Sequence, residues 1–321
     1  MTTPPDPAQQ TFGSLVRSGA TRLAASGAST PRLDAELMLA HALHIDRTGV
    51  LANPDAPVGP EAREAFEASL ARRERGEPVA YIRGFREFHG LAIATDPRAL
   101  IPRPETELLV DAALAEIVAR LSASPRTPGA PAVRVADVGT GTGAIAVSLV
   151  AALRRRKMAG EVMVIAVDAS PDALQLAREN AVGHGVADRL VFLEADLLPY
   201  HVEPPYAVIC ANLPYVPTRT LEGLGPELAF EPREALDGGP DGLDVIRRLI
   251  ERLPEVLAAD GVAFLEIGAD QEVAVRRAVA ERLAGWRCDV RRDLAGLPRV
   301  ARIEPAGPDG SRRPAVPGPA A

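Results

Sequence analysis

The hydrophobic and polar positions of this chain change rhythm twice. From about residue 11 to residue 76 apolar residues recur at helical spacing, divided by short Gly- and Pro-containing breaks. Residues 14–25, 33–43 and 60–73 read as helices, with Leu33, Leu37 and His41 expected on one stripe and Pro60 suited to a first turn. That is the pattern of a small helical bundle. It carries no catalytic constellation, so a docking domain over residues 11–76 is expected. Residues 78–95 change character: Tyr81, Ile82, Phe85, Phe88, Leu91 and Ile93 are broken by Gly84 and Gly90, which suggests a β-hairpin within a linker over 77–99.

Beyond residue 100 strand-like and helix-like stretches alternate. Strands are expected at 133–138, 162–167, 190–193, 206–211 and 262–267, with two more strand-like segments at 286–292 and 299–303. Helices are expected at 105–121, 143–155, 171–184, 243–258 and 271–283. Such alternation with short loops implies an α/β fold over residues 100–305, a doubly wound, mostly parallel sheet covered by helices on both faces. Residues 1–10 are expected to fray, 122–131 to form a Ser/Pro/Gly loop, and 306–321 to be a disordered tail.

Composition narrows the function classes. Of 321 residues, 47% are hydrophobic and 25% charged, ordinary values for a soluble globular protein. A net charge of −7 provides no global basic field, so direct nucleic-acid binding is not expected. The two cysteines lack metal-ligand spacing, and Cys210 lies in an apolar strand where it reads as a core residue. His41 and His44 stand at helical spacing without further ligands nearby, so no metal is expected. No apolar run approaches membrane-spanning length and no leader pattern opens the chain, which makes the cytoplasm the expected location.

Candidate chemistry sits at the ends of the expected strands. Asp137-Val-Gly139-Thr140-Gly141-Thr142-Gly143 follows the first strand and opens a helix, where glycines let a ligand approach and the helix start offers free N–H groups. The run also fits G-x-G-x-x-A through Ala144, so alone it does not choose between NAD and another nucleoside cofactor. Asp168 ends the second strand, where a carboxylate accepts from ribose hydroxyls. Asp196 ends the third, placed to accept from an adenine amine with Leu197 against the ring. Together these describe an adenosine site, and no hydride-handling group accompanies it. The fourth strand, 206–211, runs into Asn212-Leu213-Pro214-Tyr215; Pro214 has no amide hydrogen and holds Leu213 extended. An amide, a stiff backbone and an aromatic ring thus meet where open α/β sheets bind ligands.

These motifs resemble a class I S-adenosylmethionine-dependent methyltransferase. Three further stretches are similar to the HemK-type release factor glutamine methyltransferases: Arg86-Glu87-Phe88, Ile101-Pro-Arg-Pro-Glu-Thr-Glu107, and residues 230–244, FEPREALDGGPDGLD. The resemblance runs from about Phe12 to Ile303. It implies S-adenosylmethionine held by Gly139, Thr140, Gly141, Thr142, Gly143, Asp168, Asp196, Leu197 and Asn212. It also implies a catalytic and substrate-binding set of Asn212, Leu213, Pro214 and Tyr215, with the Asn212 oxygen and Leu213 carbonyl accepting the two hydrogens of a glutamine amide and Tyr215 packing on its plane. Arg103 and Glu105 are weaker candidates near the methionine end of the cofactor, and Glu231 and Arg233 fit a lid equally well. Many family members have proline where this chain has Leu213; the site uses that residue's backbone carbonyl, so function is expected to survive. The implied partner is a peptide chain release factor, methylated at the glutamine of its Gly-Gly-Gln motif. A ribosomal-protein glutamine and a nucleic-acid amino group are the alternatives.

Overall fold

The computed structural model describes residues 10–123 and 133–306. The expected frayed start, the Ser/Pro/Gly loop beyond Ala123 and the tail beyond Ala306 lie outside the described residues. The described residues divide into two compact units: one holds those up to Phe85 together with Gly225–Phe230, and the other holds the rest of them.

In the first unit, α1 (Phe12–Ala25), α2 (Pro31–Ala42), α3 (Arg47–Ala52), α4 (Pro60–Glu74) and α5 (Val79–Arg83) form a helical cluster. Thr11 caps α1 reciprocally: its Oγ1 accepts from Ser14 N at 3.3 Å, and Ser14 Oγ accepts from Thr11 N at 2.8 Å. The core joins Leu15, Val16 and Leu23 of α1 to Ala35, Met38 and Leu39 of α2 and to Phe66 and Leu70 of α4.

The expected Leu33–Leu37–His41 stripe is not the buried face of α2. Leu33 is 38% exposed, whereas Asp34 and Glu36 are buried. Counting only apolar positions misses this face, because arginines make its acidic positions tolerable inside. Asp34 Oδ2 accepts from Arg73 Nε at 2.7 Å, and Glu36 accepts from Arg32 and Arg47. Helix α2 ends at Ala42, and His44 follows it with φ 53, so His41 and His44 do not share one helix.

The second unit starts at Arg86, within the hairpin of β1 (Phe85–Phe88) and β2 (Leu91–Ala94). The hairpin is shorter than the expected 78–95, because Pro78 starts α5 and Gly84 ends it in the left-handed region at φ 79. A 3₁₀ turn at Pro104–Thr106 leads into α6 (Glu107–Ala123). Then come β3 (Val133–Val138), α7 (Ala144–Arg155), β4 (Val162–Asp168), α8 (Pro171–Gly183), β5 (Leu190–Glu194), β6 (Tyr206–Ala211) and a short α9 (Thr218–Leu221). The chain closes with α10 (Asp244–Val256), β7 (Leu257–Glu266), α11 (Glu272–Arg282), β8 (Trp286–Arg292) and β9 (Pro298–Pro305).

The seven-stranded sheet has the order β5-β4-β3-β6-β7-β9-β8. Strands β3 to β7 pair parallel, and β9 pairs antiparallel with both β7 and β8. Alternate residues face opposite layers. Val135, Val164, Val208 and Cys210 point into a core with α6 and α7, while Ala136, Ile165, Ile209 and Ala211 point into a core with α10 and α11. Burial on both sides explains why β4 and β6 read as nearly unbroken apolar runs, while β3 is interrupted by Arg134 and Asp137. Strand β7 begins five residues before the expected 262–267, since Leu257 already pairs with Tyr206 across a register irregularity. Strand order reverses between β3 and β6, so their carboxyl ends flank the crevice where such sheets bind ligands.

The buried pair in the first unit gives a stability test. Arg73 also ion-pairs with Glu227, so Asp34→Ala leaves its guanidinium only partly neutralised. The expected loss is about 3 kcal/mol, toward the low end for a broken buried pair. Urea unfolding followed by circular dichroism measures it, and a loss below about 1 kcal/mol, the scale of an exposed pair, would contradict the account.

Candidate active site

The carboxyl ends of β3, β4 and β6 border a cavity of about 270 Å³. Gly139, Thr140, Gly141 and Thr142 line it, as do Asp168, Asp196, Leu197, Asn212, Leu213 and Pro214. Gly143 is not part of the lining. A Cβ there would meet Ala177 Cβ at 3.0 Å, so this glycine allows α7 to pack against α8. Beneath the turn, Asp137 Oδ2 accepts from Thr140 Oγ1 at 2.7 Å and Ala146 N at 3.1 Å. Burial pushes the Asp137 carboxyl up to about 7, with those two hydrogen bonds opposing the rise. Its Oδ1 has no partner among the described residues.

The Asp168 carboxylate is pinned by backbone donors: Gly141 N at 2.8 Å to Oδ2 and Ser170 N at 2.9 Å to Oδ1. Burial raises its pKa, opposed by those same bonds. Each oxygen keeps a lone pair for a ligand hydroxyl. Asp196 is more open, with its side chain 66% exposed and paired with Arg248, itself a lining residue. Leu197 is buried beside it with φ 64, an uncommon conformation for a residue with a Cβ.

After β6 the chain leaves the sheet at Asn212. Its Nδ2 donates to Thr106 Oγ1 at 3.1 Å. The Leu213 side chain packs on the glycine turn, where a Cβ on Gly139 would meet Leu213 Cδ2 at 3.1 Å. Tyr215 lies outside the lining and packs into the α10–α11 core, with its hydroxyl donating to Glu266 Oε1 at 3.4 Å. Burial first, and then the Glu266 charge, push the Tyr215 hydroxyl up to about 12. Burial likewise pushes Glu266 up to about 7, opposed by hydrogen bonding from Thr106 and Tyr215 and favoured by Glu105.

The backbone of this loop is braced from behind. Gln271 Nε2 donates to Tyr215 O at 2.9 Å, Val216 N to Leu236 O at 3.0 Å, and Gly238 N to Val216 O at 2.9 Å. Gly242 adopts φ 80, and a Cβ there would fall 2.3 Å from Tyr215 O. The stretch 230–244 therefore serves chiefly as scaffold. Its Glu231 fastens the turn before α6, accepting from Ile101 N at 3.0 Å and from Arg103 Nη2 at 2.5 Å. Arg103 and Glu105 do not line the cavity, whereas Ile101, Pro102 and Thr106 do. Sequence reasoning missed Thr106, Pro232, Glu234, Ala235 and Arg248 as lining residues. Thr106 had a signal, since it sits inside the 101–107 motif, as did Pro232, Glu234 and Ala235 inside the 230–244 stretch; the approach of Arg248 only the fold determines.

Among the described residues no helix is long and apolar enough to cross a membrane, and no group of three or more His, Cys, Asp or Glu is arranged to hold a metal. Residues 14–84 match a model of the PrmC N-terminal domain, and residues 130–222 match a methyltransferase domain. The chain is 38% identical over 293 residues to a release factor glutamine methyltransferase of Deinococcus radiodurans, covering 91% of this chain and 98% of that one. It is 39% identical over 292 residues to one of Moorella thermoacetica, covering 91% and 96%. Among solved structures the hMettl16 catalytic domain superposes with a TM-score of 0.51 at 14% identity, covering 77% of this chain and 81% of that one, a likeness of fold alone.

The two buried carboxyls set a pH dependence of stability. The unfolded chain releases their protons near the ordinary values of 3.8 and 4.5, while the folded chain keeps them until about 7. Between those limits the unfolded state binds fewer protons, so stability falls as pH rises through the window and levels off above it. Each group contributes on the order of 1 kcal/mol per pH unit there. In urea unfolding from pH 4.5 to 8, Glu266→Gln is expected to flatten this decline; an unchanged slope would mean that Glu266 is not the strained carboxyl described.

Proposed function

The chain belongs to the release factor glutamine methyltransferases, and on that premise we propose that it is a cytoplasmic enzyme that transfers methyl from S-adenosylmethionine to the glutamine side-chain nitrogen in the Gly-Gly-Gln motif of peptide chain release factors. One observation carries this reading beyond the family name. The glycine turn with its pinned Asp168 and the Asn212–Pro214 corner border the same cavity, so a nucleoside site and an amide site adjoin.

The residues present fit the cofactor. Asp168 offers acceptors for ribose hydroxyls, Gly139 and Gly141 leave room for close approach, and the buried Asp137 Oδ1, without a partner among the described residues, lies under the turn. When bound, S-adenosylmethionine supplies an electrophilic methyl group on sulfur. The rest falls to the chain's own groups. A primary amide nitrogen is a poor nucleophile because its lone pair is delocalised, and it is too weak an acid to be deprotonated beforehand at neutral pH. Position is what remains. The Asn212 Oδ1 and the Leu213 carbonyl accept the two amide hydrogens and hold the nitrogen in line, an effect worth up to about 7–11 kcal/mol in favourable models. The same acceptors face positive charge as it develops on that nitrogen. Tyr215 contributes through the loop it anchors, since its ring packs in the core rather than on the cavity. The first unit is assigned to docking of the protein substrate.

Single-turnover methylation at saturating cofactor tests the proposal, with release factor, ribosomal protein and nucleic acid offered side by side. Only release factor is expected to be labelled, and labelling of either rival alone would overturn the substrate assignment. Asn212→Ala is expected to slow the step by roughly 10² or more, as for loss of one preorganised polar group. Asn212→Asp keeps an acceptor and is expected to retain more activity than alanine, short of wild type because a charge in a closed site costs desolvation. Wild-type turnover by Asn212→Ala would remove that residue from the mechanism. Asp168→Ala is expected to weaken cofactor binding in calorimetry by about 1.5–3 kcal/mol, the worth of a charge-assisted hydrogen bond.

A further inference from the structure

Behind Asn212 lies a buried polar chain that the proposed chemistry does not use. Asn212 Nδ2 donates to Thr106 Oγ1 at 3.1 Å, and Tyr215 Oη donates to Glu266 Oε1 at 3.4 Å. Thr106 is 4% exposed and Glu266 2%. Burial raises the Glu266 pKa and hydrogen bonding from the neighbouring Thr106 hydroxyl lowers it, while Glu266 Oε2 has no hydrogen-bond partner among the described residues. Three elements meet here: the 3₁₀ turn Pro104–Thr106, the loop leaving β6, and the end of β7. The charged groups bearing on Glu266 are Glu105 from the turn and Arg299 from β9.

An ionised carboxylate only accepts hydrogen bonds, whereas a hydroxyl has one proton to donate. When Glu266 is ionised, Thr106 commits its proton to it and turns a lone pair toward Asn212. Asn212 must then present its NH₂ end to Thr106, which leaves Oδ1 for the cavity side. If the partner behind Thr106 could donate instead, the hydroxyl could reverse, and the carboxamide could turn over. That would set an NH₂ group against the NH₂ group of a substrate amide.

We propose that Glu266, acting through Thr106, is a positioning residue that fixes which end of the Asn212 carboxamide faces the substrate, and that Tyr215 is held by the same carboxylate. The inference rests on the reading of Asn212 as the acceptor for a glutamine amide. It assigns Thr106, rather than Arg103 or Glu105, as the residue of the 101–107 motif that serves the reaction.

The full-length enzyme is compared as wild type, T106V, T106S and E266Q. Single-turnover methylation of release factor is measured alongside cofactor affinity and the exchange protection of the Asn212 side-chain NH₂ by NMR. T106V removes the acceptor with little change of shape and is expected to slow methyl transfer roughly tenfold or more, as supporting hydrogen-bond partners of reactive groups commonly do. Cofactor affinity should stay within about twofold, since the loss falls on the step rather than on binding. T106S restores the hydroxyl and should recover most of the rate and the NH₂ protection. E266Q should be slow as well, and it should lack the rise in rate with pH that is expected of the wild type as Glu266 ionises.

Equal rates for T106V and wild type, or for T106V and T106S, would overturn the proposal, as would unprotected Asn212 NH₂ protons in the wild type. Should E266Q fail to fold, the valine–serine pair still decides. A wild type inactive on release factor would sink the substrate assignment instead, while the NMR comparison would still answer whether Thr106 fixes the carboxamide.

Discussion

The exit of β6 from the sheet is the constraint on which the catalytic unit depends. At Asn212 a strand paired on both sides must stop, and the next residues must hold their polar groups toward a cavity rather than in a ladder. Pro214 ensures the stop, because it has no N–H to donate. It does not make the loop rigid by itself. Rigidity comes from the backbone contacts of residues 236–242, from Gln271 at the start of α11, and from the side chain of Leu213 against Gly139. The glycines at 238 and 242 are required because a neighbouring backbone already occupies the space of their side chains. A corner whose residues border a cavity instead of continuing a ladder must take its support from segments distant in sequence.

Much of this was legible in the sequence. The strands at 133–138, 206–211 and 286–292 have the expected limits, and most others shift by a residue or two at their ends. The central parallel strands were legible because burial on both faces makes them mainly apolar runs ending in polar residues, whereas β8 is a partly buried edge strand with alternating character. The glycine turn, Asp168, Asp196 and Asn212 were visible because they stand at or just beyond the ends of those runs.

What the sequence hid has a common physical source, namely polar groups satisfied by partners far along the chain. The buried face of α2 was misread because Asp34 and Glu36 look like surface residues until Arg73, Arg32 and Arg47 are seen beside them. Glu231 looked like a candidate for a lid, yet it is a structural tie to Ile101 and Arg103. Gly143 resembles its neighbours in the glycine run, but the atom it makes room for belongs to Ala177. Periodicity reports which side of an element is apolar; it does not report which polar residue has found a partner.

The same reasoning separates Asp137 and Glu266 from the surface charges of this acidic chain. Most of the ion pairs lie at the surface, where water screens them and each contributes little. The two carboxyls are desolvated, each leaves one oxygen without a partner among the described residues, and both are pushed up to about 7. A fold selected for stability alone would place an apolar residue of similar volume at such positions. Their location instead follows the cavity: Asp137 beneath the glycine turn and Glu266 behind Asn212 and Tyr215. Strained polar groups gather where orientation matters more than burial. In an enzyme without a strong nucleophile to activate, orienting a neutral amide is the principal task left to the protein, and a buried carboxyl, once ionised, admits only one direction of hydrogen bonding.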